Sequence, residues 1–235
     1  HSITKMSHLH FTATEDYKKR VFQLVEHPDR VFNVGATGID NIKRLQLLSK
    51  REFEKSIEFK LAKKNLMVTF HPVTLERSTS KEQFKNLLEA LEKLEKVNII
   101  FTKANADTDG SVINKMIDRY VLDHPKSACA FDSLGQLRYL SAMQYVDGVV
   151  GNSSSGLLEV PSFKIGTINI GDRQKGRIRA TSIIDCLPTE ESISRALQKL
   201  FSLEFTKTVK QTVNPFGHGG VAEKITEIVE KTTLD

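Results

Sequence analysis

Residues 147–177 read DGVVGNSSSGLLEVPSFKIGTINIGDRQKGR, and this stretch contains two short apolar strands separated by a serine-rich turn. Residues 147–151 are apolar after Asp147 and end at glycine, which predicts a strand buried in a parallel sheet. Residues 152–155 supply small hydroxyl and amide side chains that cap helices, so a helix is expected over 156–160. Residues 167–170 predict a second buried strand, followed by a basic loop.

The polar residues after these two strands suit an anionic ligand. The free N–H groups and the positive dipole end at the start of a helix attract phosphate. Glu159 follows Ser155 by four residues, about one helical turn, and its carboxylate would accept hydrogen bonds from a diol beside the phosphate. Arg173, Lys175 and Arg177 follow the second strand and would reach the same charge. Each residue alone fits a capped helix or a solvated surface, but the combination at two strand ends favours a ligand site.

Strands and helices alternate along the rest of the chain, without hairpin turns between consecutive strands. The predicted strands are continuously apolar, which indicates burial on both faces; they are 9–13, 31–35, 66–70, 97–101 and 127–131. The predicted helices are 15–26 capped by Thr14, one from 39, a charged and interrupted run at 45–64, 81–96 capped by Ser80, 111–122, 134–145, 190–201 and 219–231. The pattern predicts an α/β fold, a doubly wound parallel sheet covered by helices.

The bulk composition narrows the class of protein. The net charge of +5 is a small excess of 34 basic over 29 acidic residues, and it fits an anionic small ligand at least as well as nucleic acid. Tryptophan is absent and no nucleic-acid motif occurs, so we expect no nucleic-acid partner. No apolar run approaches the roughly 20 residues that cross a bilayer, and there is no signal-peptide pattern, so we expect a cytoplasmic protein without membrane contact.

Two cysteines, Cys129 and Cys186, lie in apolar strand-like runs without metal-ligand spacing. We predict buried free thiols, which weakly favour a reducing compartment.

The loops GxxxxGK[ST] and GxGxxG are absent, so nucleotide hydrolysis and dinucleotide redox chemistry lose support. The run GNSSS at 151–155 lacks the second glycine of a serine-hydrolase elbow, which makes that class the poorer interpretation.

Ligands of open parallel sheets bind outside the carboxyl ends of the strands, and that rule selects further candidates. His71, fixed by Pro72 after a strand, would bind a phosphate oxygen, act as an acid or base, or simply end the strand. Asn105, Asp107 and Asp109 resemble a cation-binding loop, but solvated loop residues are the preferred interpretation.

Four motifs in order resemble the hydrolysing UDP-N-acetylglucosamine 2-epimerases: VGATGIDNI at 34–42, FHPVT at 70–74, GNSSSGLLEVPSF at 151–163 and INIGDRQKGR at 168–177. The resemblance continues to NPFGHGG at 214–220. It implies the C-terminal, Rossmann-like half of a GT-B fold, in which UDP-GlcNAc and water give N-acetylmannosamine and UDP for sialic acid biosynthesis. The family's proposed route is anti elimination of UDP to a 2-acetamidoglucal, followed by addition of water. That route implies no metal or redox cofactor.

The resemblance also assigns roles to residues of this chain. His71 would face the diphosphate and be the catalytic residue of this part of the protein. Ser153 and Ser154 would bind phosphate, Glu159 the ribose, and Arg173 would complete the UDP contacts. Asn105 and Leu134 match positions that line the nucleotide pocket, although the loops around them are less alike.

The chain begins at His1 rather than methionine, and we expect it to be part of a larger protein. Residues 1–28 would be a remnant of an N-terminal Rossmann-like domain, 29–213 the UDP-binding domain, and 214–235 a helix that crosses back. In the family, the proposed acid and base carboxylates belong to the N-terminal domain. The resemblance therefore implies that this chain binds UDP but is inactive alone, and that the full-length protein forms homo-oligomers.

Three alternatives remain open. One is a hydrolysing epimerase for another sugar nucleotide, such as a UDP-diacetylbacillosamine. Another is the non-hydrolysing 2-epimerase, but GNSSSG at 151–156 stands where that group typically has a glycine-rich turn. The third is a UDP-binding module without chemistry.

Overall fold

The computed structural model describes residues 1–73, 79–105 and 108–233, except for the side chains of residues 108 and 109. The strands are β1 (His10–Thr12), β2 (Val31–Asn33), β3 (Lys64–Thr69), β4 (Val97–Thr102), β5 (Ala128–Phe131), β6 (Gly148–Gly151), β7 (Gly166–Ile170) and β8 (Ile183–Cys186). The helices are α1 (Ser2–Met6), α2 (Glu15–Phe22), α3 (Gly38–Arg44), α4 (Lys50–Ser56), α5 (Ser80–Glu92), α6 (Thr108–Asp123), α7 (Gly135–Ala142), α8 (Ser155–Leu158), α9 (Glu190–Leu200), α10 (Leu203–Lys210) and α11 (Val221–Lys231). Two short 3₁₀ helices occur at Pro28–Arg30 and Val160–Phe163.

Residues Leu47–Val213 form a compact unit around a six-stranded, all-parallel sheet in the order β5-β4-β3-β6-β7-β8. The chain moves outward from β3 through β4 to β5, then returns to place β6 on the other side of β3. From β6 it moves outward again through β7 to β8. The order therefore reverses between β3 and β6, which is where ligands bind in doubly wound sheets.

Both faces of this sheet are buried, as the continuously apolar strands predict. Leu66 and Val68 of β3 pack in one core cluster, with apolar side chains of α5, α6 and α9. Met67, between them, points to the opposite cluster, which contains Phe53 of α4 and Met143 after α7. Successive side chains of a strand alternate between faces, so an unbroken apolar run requires helices on both sides of the sheet.

Residues His1–Gln46 and the segment from Asn214 form a second compact unit, which contains the parallel pair of β1 and β2. Thr14 caps α2 as predicted, accepting a hydrogen bond from the Tyr17 N–H at 3.2 Å. The buried Asp40 carboxylate caps α11, accepting from the Val221 N–H at 3.0 Å and the Ala222 N–H at 2.8 Å. The domain boundaries predicted from the sequence stay predictions.

The charged run at 45–64 contains one short helix instead of a long interrupted one. Ser49 begins α4 with a capping box, in which its hydroxyl and the Glu52 carboxylate each bond the other residue's backbone N–H. Glu58 then adopts a left-handed φ of 51°, which ends the helical path. The Glu54 carboxylate fixes the following turn by accepting from the Leu61 N–H at 3.0 Å and from Lys60.

The cap predicted for α5 and the length predicted for α8 differ from the structure. Ser80 is the buried first residue of α5 and not its cap, and Thr79 occupies the cap position without a side-chain capping bond. The helix predicted at 156–160 is the four-residue α8, because Pro161 cannot donate the next helical hydrogen bond and the chain continues as a 3₁₀ helix. Helix α10 was not among the predicted elements, and β8 was noted only as the strand-like run around Cys186.

Candidate functional site

The ends of β3 and β6 are joined by one side chain, that of Asn152. Its amide oxygen accepts from the His71 N–H at 2.8 Å, and its amide nitrogen donates to the His71 carbonyl at 2.8 Å. The Asn152 N–H also donates to the Thr69 carbonyl at 3.1 Å. Asn152 is 1% exposed, so these bonds are protected from water. The His-Pro turn and the serine-rich turn are thus held side by side where the strand order reverses.

The loop after β7 is fixed to the same residue. Arg173 Nη1 and Gln174 Nε2 both donate to the Asn152 carbonyl, at 3.0 and 2.8 Å. Gln174 is buried, whereas Arg173 is largely exposed at the start of the basic loop. The residues predicted on three separate strand ends, namely His71, the serines and Arg173, therefore meet around Asn152.

The serine hydroxyls do not cap α8. Ser154 occupies the cap position in a helical conformation and its side chain makes no capping bond. The hydroxyls of Ser153 and Ser155 lie 3.1 Å apart, and the Tyr139 hydroxyl lies 2.6 Å from Ser155 Oγ. The capping prediction was wrong, since neighbouring hydroxyls bond each other. Across the described parts of the chain, the α8 N-terminus therefore has no side-chain cap.

Glu159 directly follows α8, and its N–H bonds the Ser155 carbonyl at 2.9 Å. Burial raises the pKa of the Glu159 carboxyl. Among the described residues no ion-pair partner contacts this carboxylate. An ionised acceptor that is partly buried and unpaired is suited to two adjacent ligand hydroxyls.

Arg173 provides the positive charge of the site. Loss of surrounding water lowers the pKa of its guanidinium, and the nearby charge of Arg177 lowers it further. No carboxylate of the described residues pairs with Arg173, although other arginines of this unit, such as Arg179 with Asp185, are paired. A phosphate dianion would relieve the repulsion between the two arginines.

Asn105 and Leu134 lie further along the same edge. Asn105 is exposed three residues after β4, whereas the Leu134 side chain is buried in the core at the start of α7. The Leu134 carbonyl accepts from Arg138 Nε at 2.8 Å. Leu134 directly precedes α7, whose Tyr139 hydroxyl lies 2.6 Å from Ser155 Oγ of the serine turn. The role of Leu134 in lining the nucleotide pocket stays a prediction.

The structure can be compared with the predictions for metal ligands and for the two cysteines. Asp107 lies outside the described residues, as does the side chain of Asp109, so the cation-loop interpretation stays a prediction. The described residues contain no group of three or more metal-ligating side chains. Cys129 and Cys186 are free and partly buried, and burial raises the pKa of each thiol to about 12. In the described chain, no helix has the length and apolar character needed to span a bilayer.

The sequence placed Asn152 and Gln174 after strand ends but did not predict the contacts by which they assemble this site. Asn152 was expected in a polar, helix-capping run, and its pairing with the His71 backbone was not foreseen. Gln174 and its bond to Asn152 had no sequence signal, because a buried glutamine in a basic loop is indistinguishable from a solvated one.

Comparison with known proteins places this geometry in a family. GDP/UDP-N,N′-diacetylbacillosamine 2-epimerase (hydrolyzing) of Campylobacter jejuni is 46% identical over 87% of this chain and 53% of its own length. Polysialic acid biosynthesis protein P7 of Escherichia coli is 41% identical over 92% of this chain and 55% of its own length. This chain therefore spans about half the length of these curated relatives.

The fold is that of solved 2-epimerases. UDP-GlcNAc 2-epimerase from Neisseria meningitidis, bound to UDP-GlcNAc, superposes with a TM-score of 0.80 at 17% identity, covering 96% of this chain and 62% of that one. This likeness confirms the predicted α/β doubly wound fold. Residues 1–230 match the family described as UDP-N-acetylglucosamine 2-epimerase, and with the two relatives above they show that the chain belongs to that family.

Proposed function

We propose that this chain holds the UDP group in a hydrolysing UDP-GlcNAc 2-epimerase that forms N-acetylmannosamine and UDP for sialic acid biosynthesis. The observation that carries the proposal is the meeting of His71, the serine turn and Arg173 around Asn152. Membership of the family and the similarity to polysialic acid biosynthesis protein P7 of Escherichia coli support it.

Each group has a role in departure of the nucleotide. Arg173, with the Ser153 and Ser154 hydroxyls, binds the diphosphate and stabilises the negative charge that grows as UDP leaves. His71, on the neighbouring strand end, faces the same diphosphate and acts as acid or electrostatic partner there. The Glu159 carboxylate accepts from the ribose hydroxyls and so orients the nucleotide. The groups that act on the sugar belong to the N-terminal domain of the family.

Calorimetric titration with UDP tests the binding half of the proposal. Arg173→Met should weaken UDP binding by about 10- to 100-fold, because a charged hydrogen bond to phosphate is lost. Arg195→Met removes an exposed arginine on α9 that pairs with Glu191, and it should leave the affinity unchanged. Absence of heat with UDP at millimolar concentration would contradict the proposed site.

A second candidate differs only in the sugar. The 46% identity to the C. jejuni enzyme favours a diacetylbacillosamine nucleotide as the substrate. The experiment uses a protein that contains this chain and also the part of the family's full length that this chain does not span. That protein should be incubated with each of the two sugar nucleotides. Release of N-acetylmannosamine supports the first candidate, and release of the diacetylated sugar alone supports the second.

A further inference from the structure

Three hydroxyl groups form a continuous chain from the core to the serine turn. The Tyr139 ring, on α7, packs against the core cluster on that face of the sheet. Its hydroxyl lies 2.6 Å from Ser155 Oγ, and Ser155 Oγ lies 3.1 Å from Ser153 Oγ. The chain begins at the partly buried Tyr139 phenol and ends at a hydroxyl of the proposed diphosphate site.

The direction of the hydrogen bonds in this chain follows from burial. Among the described residues, Ser155 is the one hydrogen-bond partner of the Tyr139 hydroxyl. If the bonds ran toward Tyr139, its proton would have no acceptor among the described residues, which costs about 1–3 kcal/mol where such a group is buried. If Tyr139 donates to Ser155 and Ser155 donates to Ser153, every buried proton has an acceptor. The Ser153 proton is then the one left over, at the solvent end.

The surroundings keep the phenol in its donor form. Burial raises the pKa of the Tyr139 hydroxyl, against a smaller lowering by the hydrogen bond with Ser155, and the negative charge of Glu159 adds to the rise. Tyr139 therefore stays protonated across the physiological pH range. A hydroxyl that already accepts a hydrogen bond is a stronger donor, so each member of the chain polarises the next.

We propose that Tyr139 is a positioning residue, which acts through Ser155 to present the Ser153 proton to a phosphate oxygen of a nucleoside diphosphate. The inference rests on the proposed function, because it assigns the ligand of Ser153 to the same UDP site. Tyr139 does not touch the ligand, and its effect depends on the order of three hydroxyl protons.

Tyr139→Phe tests the inference, since it keeps the ring and removes only the hydroxyl. The expected result is an affinity for UDP about fivefold lower, with the affinity for uridine unchanged, because uridine lacks the phosphates that Ser153 would contact. Uridine binding is followed by NMR titration and UDP binding by calorimetry. Tyr145→Phe is the matched control, because the Tyr145 hydroxyl donates to the Leu48 carbonyl at 2.7 Å, away from the serine turn.

A second variant separates positioning from simple packing. Ser155→Ala breaks the same hydroxyl chain. The double variant Tyr139→Phe/Ser155→Ala should therefore bind UDP no more weakly than whichever single variant binds UDP more weakly. Equal weakening of UDP and uridine, an unchanged UDP affinity in Tyr139→Phe, or additive losses would each overturn the inference while leaving the UDP site in place. Failure of the unaltered chain to bind UDP would overturn the proposed function and this inference together.

Discussion

The Asn152 side-chain amide pairs with the backbone of His71 in both directions, accepting from its N–H and donating to its carbonyl, each at 2.8 Å. This pair extends the hydrogen bonding between β3 and β6 beyond their last paired residues, Thr69 and Gly151. An aspartate would match the shape of the asparagine but would lack the donor. The site therefore depends on an amide at this position, and not on any polar residue of similar size.

Asn152→Asp should lower the free energy of unfolding by about 2–3 kcal/mol and abolish UDP binding, because a buried carboxylate would face the His71 carbonyl. Urea denaturation measures the first effect and calorimetry the second. Asn98→Asp is the control, since the Asn98 amide donates to the Lys60 carbonyl at 2.9 Å in a solvent-exposed hydrogen bond. The control should lose less than about 0.5 kcal/mol of unfolding free energy, which is the usual range of surface substitutions. An equally small loss in Asn152→Asp would show that the hydrogen bonds between Asn152 and His71 are dispensable.

Gly151 is required by a close approach of two backbones. Its φ is +140°, and a Cβ placed there would lie 1.8 Å from the Thr69 carbonyl oxygen. Gly151→Ala should therefore cost about 3 kcal/mol or more, since backbone must move. Gly135→Ala is the matched control, with φ +65° and no neighbour within 4 Å, and it should cost about 1 kcal/mol. Chemical denaturation of both variants compares them, and equal losses would contradict the clash.

The sequence predicted the parts of this site better than their assembly. Local pattern predicts the parallel strands and the polar residues that follow their carboxyl ends. The motifs predict the positions of His71 and Arg173. Local pattern could not place Gln174 or Tyr139, because both act through contacts with residues distant in the chain. The capping error at the serine turn has the same origin. A serine beside other serines has hydroxyl partners that compete with the helix N-terminus, and the nearby tyrosine decides between them.

The Asp40 cap predicts a dependence of stability on pH. The Val221 N–H is the largest cause of the lowered pKa of the Asp40 carboxyl, ahead of the opposing effect of burial. A carboxylate with a lowered pKa stabilises the folded state fully above its unfolded pKa of about 3.9, and the stabilisation is lost as pH falls through the folded pKa.

Asp40→Asn should accordingly cost about 1 kcal/mol of unfolding free energy at pH 7, and the difference from the unaltered protein should shrink at pH 3. Guanidinium titrations at the two pH values measure it. Asp172→Asn removes an exposed carboxylate that pairs with Lys175, and it should have little effect at either pH. A difference that grows on acidification would contradict the role of the ionised cap.

Glu159→Gln should have opposite effects on stability and binding. Burial raises the pKa of this carboxyl, so its ionised form destabilises the folded state above the unfolded pKa of about 4.3. The glutamine variant should gain stability on the order of 1 kcal/mol at pH 7, and the gain should vanish near pH 4. It should also lose most of the preference for UDP over 2′,3′-dideoxy-UDP, because an ionised acceptor for the diol is gone. Thermal unfolding and competitive titration of the two nucleotides measure these effects, and a variant that is less stable yet equally selective would refute the assignment of Glu159 to the ribose.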